Sequence, residues 1–225
     1  MRITGGTQKG KTIQTVKGQD VRPTSSKVRE SIFNIIQLSE SGTIFYEGET
    51  IMLDLFAGSG IMGLEALSRG TKKAVFVEKN PRHCEIIKKN AQMLRCHSER
   101  PTEAWESQDF TEIRLPRRAF GSPRNDKTCG NSKTKIINAD ALKILDKIEE
   151  KFNCIFIDPP YASELYEPVL KKIRENKILS NEGFIILEHS SNLNLEKIIC
   201  ETEFKIYKTK IYGDTGITII LKNIY

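Results

Sequence analysis

The stretch "TIMLDLFAGSGIMGLEALSRG" at residues 50–70 decides the predicted fold. Its apolar run at 51–56 predicts a strand, and the apolar spacing at 61–69 predicts a helix directly after it. Between them, Gly58 and Gly60 allow a tight turn in which backbone N–H groups approach a polar or anionic ligand closely. The stretch therefore predicts a strand, a ligand-binding loop and a helix in immediate succession.

The rest of the chain repeats this alternation of strand and helix. Continuous apolar strands separated by helices indicate a mostly parallel sheet with helices on both faces, so we predict a Rossmann-like α/β fold with seven strands. The predicted strands are 51–56, 74–78, 135–138, 154–158, 184–188, 204–208 and 217–221. The predicted helices are 61–69, 81–95, 141–150, 163–175 and 194–201.

A small extension precedes this sheet. Glycines near residues 5–10 suggest the turns of a short β-hairpin, and apolar residues recur at helical spacing in "SKVRESIFNIIQL" at 26–38. We therefore predict an N-terminal unit over 1–40, in which the helix docks on the sheet, and a main domain over 41–225. Residues 97–134 show neither the helical nor the strand periodicity of apolar residues, so we predict a mobile surface insertion there. An RNA-contacting flap is the alternative.

Positive charge is concentrated at the N-terminus. The chain holds 35 basic and 29 acidic residues, which gives a net charge of +6. Residues 1–29 hold seven basic residues and one acidic residue, so they carry the whole excess and the remainder is neutral at 28 of each sign. A basic arm on a neutral body indicates a polyanionic partner such as nucleic acid, with a solvated tail as the alternative.

The remaining composition excludes several classes of protein. No apolar run approaches the ~20 residues that span a bilayer, and the N-terminus lacks a secretory signal, so we expect a soluble, cytoplasmic protein without membrane contact. The five cysteines form no C-x-x-C pair, and the three histidines have no metal-ligand spacing. We therefore expect reduced thiols and no metal.

The glycine-rich loop fits two cofactors. Gly58, Gly60 and Gly63 satisfy G-x-G-x-x-G, the dinucleotide fingerprint, so a nicotinamide-dependent oxidoreductase is a real alternative. Asp54 favours S-adenosyl-L-methionine, because a carboxylate there accepts from an amino group but repels a pyrophosphate. Glu78 ends the second strand, where it suits the ribose of either cofactor.

A third carboxylate follows the third strand. Asp140 and Ala141, in "NADA", lie where they would flank an adenine, with Asp140 accepting from its exocyclic amine. For Asp54 and for Asp140, each considered alone, the alternative is that the residue is only the cap of a helix.

The tetrapeptide Asp158-Pro159-Pro160-Tyr161 follows the fourth strand, next to the glycine loop. The prolines lack N–H donors and fix φ, so the carbonyls of Asp158 and Pro159 can point into the cleft beside the Asp158 carboxylate. Such an acceptor site orients the lone pair of a planar amine toward an electrophilic methyl group. The Tyr161 ring can stack on the base, although a proline-terminated strand with a packing tyrosine is the alternative.

Six segments of the sequence closely resemble the RsmD family of 16S ribosomal RNA guanine-N2 methyltransferases. They are "RITGGTQKGKTI", "DVRPTSSKVRESIFNII", "LDLFAGSGIMGLEALSRG", "VFVEKN", "DPPY" and "LEHS", in family order. The glycine loop and DPPY occur in many amino-methyltransferases, whereas "RPTSSKVRESIFN" is much more particular to this family. The insertion at 97–134 departs from the family's compact connection.

The resemblance implies a class I methyltransferase that methylates one guanine of 16S rRNA in small-subunit assembly intermediates, and we expect a monomer. By matching motifs, the residues expected to bind S-adenosyl-L-methionine are Asp54, Phe56, Ala57, Gly58, Ser59, Gly60, Glu78, Lys79, Asp140 and Ala141. Asp158, Pro159, Pro160 and Tyr161 would hold the guanine as the catalytic set. The residues expected to contact RNA are Arg2, Lys9, Lys11, Arg22, Thr24 and Arg29.

Three alternatives to this function stay open at this point. The same tetrapeptide serves DNA methyltransferases that act on adenine N6 or cytosine N4. A nicotinamide-dependent oxidoreductase and an RNA-binding assembly factor without catalysis are the other two. Carbon-5 methylation of a pyrimidine is disfavoured, because the motif lacks a cysteine nucleophile.

Overall fold

The computed structural model describes residues 1–15, 25–37, 48–95, 133–160, 163–200 and 202–223. The strands are β1 Ile51–Asp54, β2 Lys73–Glu78, β3 Thr134–Asn138, β4 Phe152–Ile157, β5 Leu179–Ser190, β6 Phe204–Tyr212 and β7 Thr215–Lys222. The α-helices are α1 Ser26–Gln37, α2 Ile61–Ser68, α3 Pro81–Arg95, α4 Ala141–Leu145, α5 Tyr166–Glu175 and α6 Leu195–Ile199.

The strands form one seven-stranded sheet in the order β3-β2-β1-β4-β5-β7-β6. The first five pair in parallel, and β7 runs antiparallel to both β5 and β6. The predicted mostly parallel, Rossmann-like sheet is therefore confirmed. The strand order reverses at β1, which lies between β2 and β4, and ligands bind at such switch points in open α/β sheets.

Each face of the sheet is buried under its own set of helices. Successive side chains of a strand alternate between faces, so Met52 packs in the core layer that contains α1, α2 and α3, represented by Ile32, Leu64 and Ile87. Leu53 packs in the opposite layer, which contains Leu145 of α4, Leu170 of α5 and Ile199 of α6. The prediction of helices on both faces is confirmed.

The bounds of β5, β6 and α4 differ from the predicted ones. β5 begins five residues earlier than predicted, at Leu179, because Ser180–Gly183 lie in an irregularity between the pairs Phe152–Leu179 and Cys154–Phe184. β6 continues to Tyr212 as an edge strand whose side chains are exposed on both faces, so no apolar pattern marks its length. Helix α4 ends at Leu145, five residues before the predicted end.

The basic arm folds back on itself as a hairpin-like loop. Arg2 and Thr12 form an antiparallel bridge, and the Ile3 N–H donates to the Lys11 carbonyl oxygen at 3.0 Å. A 3-10 turn at Gly6–Gln8 forms the tip. Ile3 and Ile13 enter the same core layer as α1, so the arm and the docking helix share a core with the sheet.

The predicted insertion lies outside the described residues apart from Lys133 and Thr134, and Thr134 begins β3. In the part of the chain that the structure describes, no helix is long and apolar enough to cross a membrane. The unit boundaries at residues 40 and 41 also lie outside the described ranges and stay a prediction.

Candidate active site

A cavity of about 410 Å³ opens at the C-terminal ends of β1 to β4, at the switch point of the sheet. It brings together most of the residues predicted to bind the cofactor and the base. These are Asp54, Phe56, Ala57, Gly58, Ser59, Glu78, Lys79, Asp140, Ala141, Asp158, Pro159 and Pro160. Gly60 is the N-cap of α2 behind the loop, and Tyr161 lies outside the described residues.

The glycine loop owes its shape to two residues in the left-handed region. Gly58 has φ 53° and Gly60 has φ 78°, conformations that a side chain would strain. The Gly60 N–H donates to the Ala57 carbonyl oxygen at 2.6 Å, which closes the turn. The Ala57 N–H donates to the Val77 carbonyl oxygen at 3.0 Å, which ties the loop to β2. These two backbone hydrogen bonds therefore fix the turn and hold the loop against β2.

Asp54 is a buried carboxylate at the base of this loop. Its Oδ2 accepts from the Gly63 N–H at 3.2 Å, in the first turn of α2. Burial raises the pKa of Asp54 to about 7, the Gly63 hydrogen bond opposes that rise, and the charge of Glu78 adds to it. A cationic group that enters the cavity would favour the ionised form of this carboxyl group.

Glu78 ties the end of β2 to the glycine loop. Its Oε2 accepts from the Gly58 N–H at 2.8 Å, and its Oε1 accepts from the Asn80 N–H at 2.7 Å. His83 places Nδ1 3.5 Å from Oε1. Each carboxylate oxygen can accept a further hydrogen bond, so Glu78 can receive the hydroxyl groups of a ribose without losing these contacts.

Asp140 combines a structural role with a place in the cavity. Its Oδ1 accepts from the Leu142 and Lys143 N–H groups at 3.1 and 3.3 Å, which makes it the N-cap of α4. Its Oδ2 lies 3.7 Å from the Lys79 ammonium. The helix-cap alternative is therefore observed for Asp140. The cap uses Oδ1 and the Lys79 side chain is exposed, so Oδ2 can still accept from an adenine amine.

Asp158 follows β4 directly and stands beside Glu188 of β5. Ile157 pairs in parallel with Leu187, so the next residues of the two strands are neighbours on one face. Burial raises the pKa of Asp158 well above its usual range, and the charges of Glu188 and then Asp54 raise it further. Three carboxyl groups thus converge at the strand ends, where they favour a ligand that donates hydrogen bonds.

Sequence reasoning missed the place of Glu188. Its backbone oxygen accepts from the Tyr166 hydroxyl at 2.5 Å, and its charge contributes to the raised pKa of both Asp158 and Tyr166. Two signals were available: an acidic residue at the end of a predicted apolar strand, and its place in the "LEHS" segment that resembles the family. Within the described ranges, no group of three or more His, Cys, Asp or Glu residues is arranged to hold a metal ion.

The residues predicted to contact RNA occupy different environments. Arg2 and Lys9 are exposed on the arm, and Lys11 is half-buried. Arg22 and Thr24 lie outside the described residues. Arg29, in contrast, has an exposed fraction of 0%, so its side chain lies in the interior beneath the arm.

Arg29 instead joins the arm to helix α1. Its Nη2 donates to the Arg2 carbonyl oxygen and to Ser26 Oγ, both at 3.0 Å. Burial lowers the pKa of Arg29, and the charges of Glu65 and Glu188 oppose that effect. The guanidinium therefore lies in the field of carboxylates on both α2 and β5.

Helix α2 holds the arm in place through Glu65. This carboxylate is fully buried and accepts from the Thr4 N–H at 2.8 Å, the Gly5 N–H at 2.7 Å and Arg69 Nε at 3.1 Å.

Asn90 of α3 adds a second attachment of the arm. It accepts from the Gln14 N–H at 2.8 Å and donates to the Ser59 carbonyl oxygen at 3.0 Å. The arm is thus bonded to the helix that follows the glycine loop and, through Asn90, to the loop itself.

Replacing Glu65 by alanine should release the arm. The change strands the Thr4 and Gly5 N–H groups and removes the carboxylate that accepts from Arg69 Nε, so we expect the free energy of unfolding to fall by about 3–5 kcal/mol. Chemical denaturation measures this loss. Glu85→Ala is the matched control, because Glu85 pairs with Lys88 on the exposed surface of α3 and its loss should change the free energy of unfolding far less. Equal losses in the two variants would contradict this account of the arm.

Known proteins resemble this chain over nearly its whole length. The family model described as "Conserved hypothetical protein 95" matches residues 1–120 and 122–221. The Bacillus subtilis protein named "Putative rRNA methyltransferase YlbH" is 32% identical over 222 residues, which cover 99% of both chains. The Haemophilus influenzae "Ribosomal RNA small subunit methyltransferase D" is 26% identical and is matched over 95% of this chain and 89% of its own.

The fold has a close structural counterpart. The solved structure titled "Putative methyltransferase yhhF from Escherichia coli" superposes with a TM-score of 0.70 at 22% identity, over 99% of this chain and 97% of that one. The sheet order and the glycine loop give the chain the fold of a class I methyltransferase, in agreement with the family model and the relatives. The chain belongs to the family of the matching model, which is the RsmD family that the sequence motifs indicated.

Proposed function

We propose that this protein transfers a methyl group from S-adenosyl-L-methionine to the exocyclic N2 amine of a guanine in the RNA of the small ribosomal subunit. The observation that carries the proposal is the single cavity in which Asp158, Pro159 and Pro160 face the glycine loop. Relatives that cover most of this chain are named as small-subunit rRNA methyltransferases. We propose that the protein acts in the cytoplasm, as a monomer, on assembly intermediates of the subunit.

The cavity suits S-adenosyl-L-methionine, which supplies an electrophilic methyl group when bound. Asp54 is a buried carboxylate whose pKa of about 7 leaves it ready to pair with an ammonium group. Glu78 offers acceptors for ribose hydroxyls, and Asp140 Oδ2 offers one for an adenine amine. A dinucleotide pyrophosphate would meet Asp54 and Glu78 at the same loop, so the carboxylates disfavour a nicotinamide cofactor.

The base site is built from acceptors. A planar amine attached to a purine is a poor nucleophile, because its lone pair is delocalised into the ring. Hydrogen bonds from its N–H groups to the Asp158 carboxyl group and to the neighbouring backbone carbonyls would direct the lone pair at the methyl group and favour positive charge on nitrogen. Pro159 and Pro160 contribute no competing N–H donor. Tyr161 is proposed to stack on the base.

The arm supports RNA as the polymer. Arg2 and Lys9 are exposed on a loop that α2 and α3 hold beside the cofactor site. Cations fixed next to an active site bind the phosphates of a polynucleotide and release counterions. Arg22 and Thr24 are proposed to extend this contact toward the cleft, whereas Arg29 is proposed to position the arm from beneath.

Calorimetry and a transfer assay test the cofactor and the polymer separately. We expect micromolar binding of S-adenosyl-L-methionine and no measurable heat with NAD. We also expect labelled methyl to enter small subunits that lack the modification, and not duplex DNA of matched length. Preferential binding of NAD would reject the cofactor assignment, and transfer to DNA alone would favour the amino-methyltransferases that act on DNA.

A further inference from the structure

Strand β6 has the most exposed lysines of any strand in the described sheet, and it lies at the sheet's edge. It pairs with β7, and its side chains from Lys205 to Ile211 are exposed. The strand carries three lysines and no acidic residue. Exposed lysines on an edge strand commonly prevent the pairing of two sheets, so their presence alone needs no functional explanation.

A β-bulge places the three lysines on one face. Lys205, Lys208 and Lys210 pair with Leu221, Ile219 and Ile217 of β7, which are alternate residues and therefore share a face. Lys205 and Lys208 are three residues apart, so a regular strand would direct them to opposite faces. The register shift between Ile206 and Lys208 adds one residue and restores the alignment. Protection of an edge does not require this alignment.

The aligned face is the one that carries the basic arm. Ile217 and Ile219 belong to the core layer of α1, and Leu221 packs against it. At the end of β6, the Tyr212 hydroxyl bonds to Ser31 Oγ of α1. The exposed Lys27 lies one helical turn before Ser31, so it is on the side of α1 that meets the end of β6. Acidic residues stand nearby: the exposed Glu203 precedes Lys205 by two residues, the exposed Glu30 lies on α1, and Asp214 lies in the turn after β6.

The row leads toward the active site. β6 runs parallel to β5, because both are antiparallel to β7. The Tyr212 end of β6 therefore lies at the same edge of the sheet as Glu188 and Asp158. Lys208 and Lys210 are spaced by about 7 Å along the strand. The lysines thus form a line of positive charge that approaches the base site from the side opposite the cofactor loop in the strand order.

We propose that Lys205, Lys208 and Lys210 bind the phosphate backbone of the substrate RNA next to the methylated nucleotide. This inference rests on the proposed function and adds a second contact surface to the N-terminal arm. The charge of the row is complementary to phosphate, and the hydrogen bond between Tyr212 and Ser31 joins the end of the row's strand to the docking helix. Counterion release predicts that each phosphate contact adds about 0.7–0.9 to the slope of log affinity against log salt.

The test is the triple variant Lys205→Glu, Lys208→Glu, Lys210→Glu. Glutamates keep the edge charged and prevent sheet pairing, yet they repel RNA. Binding to an unmodified small-subunit rRNA transcript is measured at several salt concentrations. We expect affinity at low salt to fall at least tenfold and the salt slope to fall by about 2–3. Calorimetry should give unchanged affinity for S-adenosyl-L-methionine, because the row is remote from the cavity lining.

The matched control makes the same change in charge on the other face. Lys147, Lys151 and Lys171 are exposed lysines near α4 and α5, and their replacement by glutamate should alter binding much less. Equal effects of the two triple variants, or no effect of the β6 variant, would overturn the inference. If the glutamate variant does not stay folded, the three glutamine replacements give the same comparison. The proposed function is tested separately by methyl transfer with the unaltered protein. Loss of that activity would reject the function, whereas failure of the β6 variant to change RNA binding would reject only the lysine row.

Discussion

Replacing Asp158 by alanine should reduce methyl transfer by about 100-fold or more, while affinity for S-adenosyl-L-methionine changes little. The alanine removes the carboxyl acceptor that would orient the amine, and it leaves the glycine loop, Asp54 and Glu78 in place. Single-turnover transfer to small subunits measures the first effect, and calorimetry measures the second.

The variant Asp158→Asn shows whether Asp158 only accepts hydrogen bonds from the amine or also takes up its proton as a base. Asparagine keeps one acceptor oxygen at the same place but cannot take up a proton at neutral pH. If Asp158 orients the amine through hydrogen bonds, the asparagine variant should retain a measurable fraction of the rate and the alanine variant should not. In the unaltered protein the rate should rise with pH as the carboxyl group ionises, since its pKa is raised. Full turnover by Asp158→Ala would remove Asp158 from the mechanism.

Replacing Asp54 by asparagine should have two opposite effects. Affinity for S-adenosyl-L-methionine should fall by about tenfold or more, because the partner for the ammonium group is lost. The protein without cofactor should become more stable at pH 8, since a buried charge is removed while an oxygen remains to accept from the Gly63 N–H. The gain is at most about 4 kcal/mol, from a pKa raised from 3.8 to about 7.

The sign of the pH dependence follows from the direction of that shift. The folded protein holds the Asp54 proton up to a pH of about 7, whereas the unfolded chain loses it near 3.8. This group therefore makes the free energy of unfolding fall as pH rises between those values, and the contribution becomes constant above 7. Thermal unfolding across this range should show a steeper fall for the unaltered protein than for Asp54→Asn. Asp140→Asn serves as the control, because Asp140 is a partly exposed helix cap. Identical pH profiles for Asp54→Asn and the unaltered protein would contradict the role of Asp54.

The sheet could be predicted because its strands are buried on both faces. β1, β2 and β4 are continuous apolar runs, and their partners follow from the alternation with helices. The bounds of β5 and β6 were harder to predict from the sequence, because Ser180–Gly183 are polar and β6 buries almost no side chain. Where burial does not shape the sequence, hydrophobic periodicity carries no information about length.

The candidate site could be predicted where the chemistry is local. The glycine loop and Asp158 lie at strand ends within short motifs, and the structure places them around one cavity. Contacts between distant segments were not predictable. The burial of Arg29 depends on the Arg2 carbonyl oxygen and on carboxylates of α2 and β5. The approach of Glu188 to Asp158 depends on the register of β4 with β5, and the lysine row depends on a bulge.

The most direct test of the central claim identifies the methylated nucleoside. Unmodified small subunits are incubated with this protein and labelled S-adenosyl-L-methionine, and the RNA is digested to nucleosides and separated with mass detection. The account predicts N2-methylguanosine at a single position, in an amount that falls by about 100-fold or more when Asp158→Ala replaces the unaltered protein. A methyl group on adenine N6, on cytosine N4 or on a ring carbon, or no transfer at all, would contradict it.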